Sequence, residues 1–267
     1  MEWWLVYVVV GAVAGLLAGL LGVGGGVVVV PSLAFAFAAQ GVAPQYVMPL
    51  ALGTSLAAIV FTALASVRAH SAHGAVDWRI VARLTPGLIL GALGGASVAT
   101  RLSSNVLTVV FAVFLWGVAT HLVLDAMPAQ ARPLPGRLGL LGVGGVIGFV
   151  SGVVGIGGGS LSVPFLTWCR VKLHEGIGTA AAAGFPIALA GAVGYLANGL
   201  RLPDLPHLSA GFIYLPALVG VALPSVVTAP IGARLAHRLP TGRLRKLFAA
   251  FLYLVGGRLL YPVLIGS

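Results

Sequence analysis

Apolar runs long enough to cross a lipid bilayer recur along the whole chain, and they limit the folds open to it. Val106–Leu124 and, over a shorter stretch, Leu88–Thr100 contain no Asp, Glu, Lys or Arg. A hydrocarbon core ~30 Å thick needs about 20 such residues in a helix. Neither run alternates apolar with polar residues, as the strands of an outer-membrane barrel would, so both read as helices. Of the 267 residues, 59% are hydrophobic and 7% are charged, whereas a soluble domain carries about 25% charged residues. Water would not solvate such a surface, but lipid would. The expected fold is an all-α polytopic membrane protein. Met1-Glu2-Trp3-Trp4 puts no basic stretch ahead of the first apolar run, and no small-residue cleavage pattern follows it, so no removable signal is expected. Trp3 and Trp4 suit an interfacial anchor.

An internal repeat organises the chain. Gly15-Leu16-Leu17-Ala18-Gly19-Leu20-Leu21-Gly22-Val23-Gly24-Gly25-Gly26, followed by Pro31, returns 133 residues later as Gly148-Phe149-Val150-Ser151-Gly152-Val153-Val154-Gly155-Ile156-Gly157-Gly158-Gly159, followed by Pro164. Gly53-Thr54-Ser55 is echoed by Gly178-Thr179-Ala180. Gly95-Ala96-Ser97-Val98-Ala99-Thr100-Arg101-Leu102 is echoed by Gly232-Ala233-Arg234-Leu235-Ala236-His237-Arg238-Leu239. Residues 1–124 are therefore expected to form one transmembrane repeat and 138–267 a second. The polar, proline-containing stretch 125–137 links them. The expected apolar segments are 3–22, 27–40, 47–67, 80–100 and 104–124 in the first half. In the second they are 138–155, 160–171, 175–200, 208–233 and 243–265. The second segment of each half is too short to span alone and suits a broken or re-entrant helix pair.

Charge sets the orientation. The net charge is +10, but the basic residues are scattered between apolar segments, which favours a topology signal over nucleic-acid binding. If each broken pair enters and leaves on one side, regions 68–83, 125–137, 170–174 and 234–246 share a face. They hold 12 of the 15 Lys and Arg residues, and that face should be cytoplasmic. Equivalent segments then run in opposite directions, so the repeats are expected to have inverted topology.

The glycine triplets Gly24-Gly25-Gly26 and Gly157-Gly158-Gly159 are the main candidate site. Glycine allows the backbone to leave helical geometry and approach a ligand. A helix that restarts after a break presents unpaired N–H groups with partial positive charge. Such a start holds an anion without a charged side chain, and transporters place such starts near the bilayer midplane. Close helix packing by small residues is the competing reading. Pro31 and Pro164 are taken as marks of a structural break. Thr54, Ser55 and Thr179 are candidate hydroxyl donors to the anion, with back-bonding to a helix carbonyl as the alternative. Arg101 and Arg238 occupy equivalent positions, as candidate anion mouths or as cations completing helix ends.

All five acidic residues (Glu2, Asp77, Asp125, Glu175 and Asp204) lie at expected segment ends or in loops, so the intramembrane carboxylate common in proton- and cation-coupled pumps is not evident in the sequence. An anion leaving an inside-negative cell gains about 2.3 kcal/mol per charge per 100 mV, enough for export without proton coupling. There is no HExxH, GxSxG or GxxxxGK[ST] motif, and no catalytic residue is assigned. The lone Cys169 excludes an intrachain disulfide and a thiolate cluster. Neighbouring Arg170 would lower its pKa, but an inert thiol is the favoured reading. No metal or other cofactor is expected.

The doubled motif resembles the TauE/SafE-type sulfite exporter family, also called toluene sulfonate uptake permeases. So do Ala51-Leu52-Gly53-Thr54-Ser55, Gly74-Ala75-Val76-Asp77-Trp78-Arg79 and Gly232-Ala233-Arg234-Leu235-Ala236. The likeness covers nearly the whole chain. It implies transport, mostly outward, of sulfite, sulfoacetate or other organosulfonates across a prokaryotic inner membrane. Ala180 departs from the first half's Ser55, and Pro186 has no first-half counterpart. Alternating access around a central anion site is the expected mechanism. An anion-selective channel, an importer of thiosulfate or a carboxylate, and a scaffold without substrate are the rivals. The expected partners are a small anion and membrane lipid, without nucleic acid, and self-association is left open.

Overall fold

The computed structural model describes residues 2–21, 25–124, 133–236 and 241–265. The first half forms α1 (Glu2–Leu21), α2 (Gly26–Ala39), α3 (Pro44–Ala72), α4 (Trp78–Ala99) and α5 (Ser104–Leu124). The second forms α6 (Arg137–Val154), α7 (Gly159–Trp168), α8 (Leu173–Gly199), a two-stranded hairpin of β1 (Ser209–Ala210) and β2 (Ile213–Tyr214), α9 (Leu215–Ala236) and α10 (Thr241–Ile265). Eight of these helices are long and apolar enough to span a bilayer, while α2 and α7 are shorter. The protein is an all-α polytopic membrane protein.

Three expectations need correction. Residues 208–214 are not the start of a helix. Pro203 and Pro206 precede the segment, and Leu208 and Gly211 adopt positive φ (69° and 54°), so the chain turns into the hairpin and α9 begins at Leu215. Helix α3 is longer than its apolar core: Pro44 starts it, and it runs past Arg68 to Ala72. The helical breaks also fall before the two prolines, because Pro31 and Pro164 lie inside α2 and α7.

Packing between the halves is exchanged. The most extensive contacts join α1 to α9 and α4 to α6. A side chain at Gly11 or Gly15 would overlap the backbone of Val221 or Ser225. A side chain at Gly144 or Gly148 would overlap the backbone of Leu84 or Leu88 in the same way. Gly232 meets the carbonyl of Leu16, and its echo Gly95 meets that of Phe149. These are the same contacts with the halves swapped. The sequence order of the contacts runs α1 parallel to α9 and α4 parallel to α6. Helices α3 and α8, which are equivalent in the repeat, run antiparallel: Gly53 abuts Tyr195, and Gly191 abuts Leu56.

This register also collects charge. The end of α3 with Arg68, the starts of α4 and α6 with Arg79, Arg83 and Arg137, and the start of α8 beside Arg170 and Lys172 share one face. The end of α9 with Arg234 joins them, since α9 parallels α3 from Thr54–Tyr214 to Thr62–Ser225.

Candidate functional site

The two glycine-rich breaks meet at the centre of the molecule. Helix α6 ends on Gly155, at φ 71° and ψ 34°, and α7 starts from Gly158, at φ 74° and ψ −12°. L side chains rarely adopt either conformation, so glycine is required at both. Gly25 caps α2 from ordinary helical geometry, at φ −60° and ψ −14°. A side chain at Gly26 would run into the carbonyl of Gly155 and the Cα of Ile156, so one break is packed on the other. Of the remaining residues of the first break, Gly24 lies outside the described residues.

A small, partly open cavity lies beside this junction. Gly25, Gly157 and Gly159 line it from the breaks. Thr62, Ser66 and His70 line it from α3. Ala180, Ala181 and Gly184 of α8 and Ala18 of α1 complete a largely apolar wall. Thus the starts of α2 and α7 both reach one cavity. The first N–H groups of a helix have no partner within it and carry its partial positive charge. In a water-poor, apolar setting that charge favours a small anion.

The hydroxyls singled out from sequence are placed differently. The Tyr214 N–H donates to Thr54 Oγ1 at 2.9 Å, and the Asp77 N–H donates to Thr179 Oγ1, also at 2.9 Å. Each threonine thus clamps the chain just ahead of a helix in the opposite half. Gly53 and Gly178 accompany them, packed on the carbonyls of Phe212 and Ala75 respectively. Ser55 Oγ donates to the Gly155 carbonyl at 3.0 Å, holding the end of α6 at the break. All three side chains are fully buried, and none of the three lines the cavity. Arg101 is exposed beyond the end of α4, and Arg238 lies outside the described residues.

Sequence reasoning missed Thr62 and Ser66, and it left His70 to the basic loop. They recur every four residues, so they share one face of α3. Thr62 Oγ1 lies 2.7 Å from Ser225 Oγ, joining α3 to α9 beside the cavity, and it also donates to the Ala58 carbonyl. The four-residue polar spacing inside an apolar helix was the available signal. Cys169 is buried at the end of α7, and burial pushes its thiol pKa up, opposite to the lowering expected from Arg170.

Two exchanged helix sets, broken helices packed on one another and a small apolar-walled cavity define a polytopic membrane protein whose halves enclose a common cavity. The family model of the sulfite exporter TauE/SafE matches residues 7–259, and the chain belongs to that family of membrane transporters. A probable membrane transporter protein of Haemophilus influenzae is 36% identical over 256 residues, spanning 94% of this chain and 96% of the relative. One of Bacillus subtilis is 29% identical over 96% of this chain and 97% of its own length. Another, of Methanocaldococcus jannaschii, is 25% identical over 93% and 92%. No solved structure matches the chain.

Proposed function

We propose that this protein exports a small sulfur-containing anion, such as sulfite, sulfoacetate or another organosulfonate, across a prokaryotic inner membrane by alternating access. The carrying observation is that two glycine-interrupted helix starts, one from each half, reach a single apolar cavity. The anion is held by backbone amides at Gly24–Gly26 and Gly157–Gly159, while Thr54, Ser55 and Thr179 keep the surrounding backbone in place. The halves act as inverted repeats, a reading supported by the antiparallel run of α3 and α8 and by the exchanged glycine contacts. The face carrying Arg68, Arg79, Arg83, Arg170 and Lys172 is cytoplasmic. It draws anions toward the cavity, and the membrane potential drives them outward.

Flux into proteoliposomes tests the reading. Sulfite, sulfate, thiosulfate, organosulfonates and carboxylates are offered in turn, and at least one sulfur anion is expected to move faster than in protein-free vesicles. Gly25→Leu, which fills the cavity wall from a position of ordinary φ, should abolish that flux while leaving monodisperse protein. Unlabelled sulfite on the far side should accelerate exchange of labelled sulfite, as a carrier requires and a channel does not. Failure of every sulfur anion to move would remove the assignment.

A further inference from the structure

The cavity is asymmetric about the repeat. The reciprocal threonine bonds fix the register: α3 corresponds to α8 at an offset of 125, and α4 with its preceding loop to α9 with its hairpin at 137. At that register Thr62, Ser66 and His70 correspond to Ile187, Gly191 and Tyr195, and Ala75 corresponds to Phe212. The first set lines the cavity. Its exposure increases along α3, from buried Thr62 to half-buried Ser66 and His70, one turn from the helix end on the basic face. The second set is packed shut. The Ile187 side chain fills the space beside Gly158, Leu56 fills the space at Gly191, and Tyr195 is wholly buried with its hydroxyl donating to the Gly152 carbonyl at 3.1 Å.

Aromatic rings finish the seal on that side. Phe212 meets Tyr195 edge-on at 6.5 Å and lies 6.3 Å from Tyr46, at the hairpin between α8 and α9. Its counterpart at the basic face, Ala75, has no ring to offer. Desolvated aromatic pairs of this geometry add attraction beyond the area they bury. The one hydroxyl of the Tyr195–Phe212 pair, that of Tyr195, is already committed to the Gly152 carbonyl.

We propose that Tyr195 and Phe212 form the gate closing the central cavity on the face opposite the basic loops, and that Thr62, Ser66 and His70 line the passage open toward the basic face. The state described here therefore receives its anion from the basic side. Release requires Tyr195 and Phe212 to part. The hairpin, tied to α3 through Thr54 and Gly53 at its root and through the Tyr46 ring, is the element that carries Phe212 away. This inference rests on the carrier reading for its purpose and on packing for its geometry.

Cysteine accessibility tests it without substrate. Ala63 and Ala188 are repeat equivalents with the same side chain; Ala63 lines the cavity and Ala188 is fully buried. In a Cys169→Ala background, A63C and A188C are exposed to a membrane-impermeant charged thiol reagent, which needs a solvated thiolate. From the basic face A63C should react at least about tenfold faster than A188C, which should resist from both faces. Adding Tyr195→Ala with Phe212→Ala should make A188C reactive from the opposite face. Should that double variant not fold, Phe212→Ala alone, which removes a ring and no side-chain hydrogen bond, serves in its place. Equal reactivity of A63C and A188C in otherwise unaltered protein overturns the proposal, as does a gate variant in which A188C stays inert. Labelling as expected with no sulfur-anion flux would instead remove the transport reading and leave the gate standing.

Discussion

The halves of this protein agree where their helices pack and differ in lining. Where helices touch, the agreement extends to individual atoms: Gly15 on Ser225 matches Gly148 on Leu88, and the Thr54 and Thr179 clamps have the same length. Where they diverge, Thr62, Ser66 and His70 of α3 line the cavity, while their counterparts Ile187, Gly191 and Tyr195 of α8 are packed shut. Under the proposed alternating access, a shared scaffold would let two arrangements have similar energy. Different linings then decide which arrangement is populated and what each mouth admits.

The largest expected effect falls on the agreement. Gly15→Val and Gly148→Val each force a branched side chain into a neighbouring helix backbone, which cannot give way as a side-chain tip can. Overpacking of this kind costs about 1–3 kcal/mol or more. Both variants should lose most of the monodisperse protein recovered in detergent, and to a similar degree. A tolerant Gly15 beside an intolerant Gly148 would break the equivalence.

Next comes a contrast within the breaks. Gly158→Ala places a methyl in left-handed geometry, at about 1–2 kcal/mol, and against the Ile187 side chain. Gly25→Ala meets only Ala14, at 3.1 Å or beyond, from an ordinary helical φ. Thermal unfolding in detergent should therefore fall clearly for Gly158→Ala and little for Gly25→Ala. Equal shifts would mean that the two breaks share a geometry.

The clamps should respond in a smaller and matched way. Thr54→Val or Thr179→Val leaves one backbone N–H without its acceptor, at about 1–3 kcal/mol where water cannot enter. Because Asp77 sits in a loop at the basic face, water reaches its N–H more easily, and Thr179→Val should be the milder of the two by thermal unfolding. The smallest change in stability is expected for His70→Tyr, since His70 is only half-buried at a helix end. It places at the open mouth the residue found at the closed one. Sulfur-anion flux should fall severalfold with unfolding temperature nearly unchanged, and undiminished flux would separate His70 from the passage.

Much of this was legible in the sequence. Apart from the end of α3 and the start of α9, the apolar runs and the doubled glycine motif located the helices to within a few residues, because span length and the need for unpaired backbone at a break are local properties. The hairpin at 209–214 was not legible: Phe212, Ile213 and Tyr214 are as apolar as the helix that follows, and the turn depends on Gly211 and a non-glycine residue at positive φ. The roles of Thr54 and Thr179 were obscured for a different reason. A hydroxyl in an apolar helix suits a ligand or a backbone partner equally well, and only the tertiary register identifies Tyr214 and Asp77 as the partners. Thr62, Ser66 and His70 lacked an echo in the second half, so a search for repetition passed over the positions where the halves diverge.

The exchanged packing also sets a timetable for assembly. Helix α1 leaves the ribosome long before α9, yet its glycine face fits α9, which ends at Ala236. Through most of synthesis that face must rest against lipid or a chaperone. A truncated chain comprising the first five helices would leave it permanently unmatched, so the two halves made as separate polypeptides should accumulate only when both are present in the same membrane.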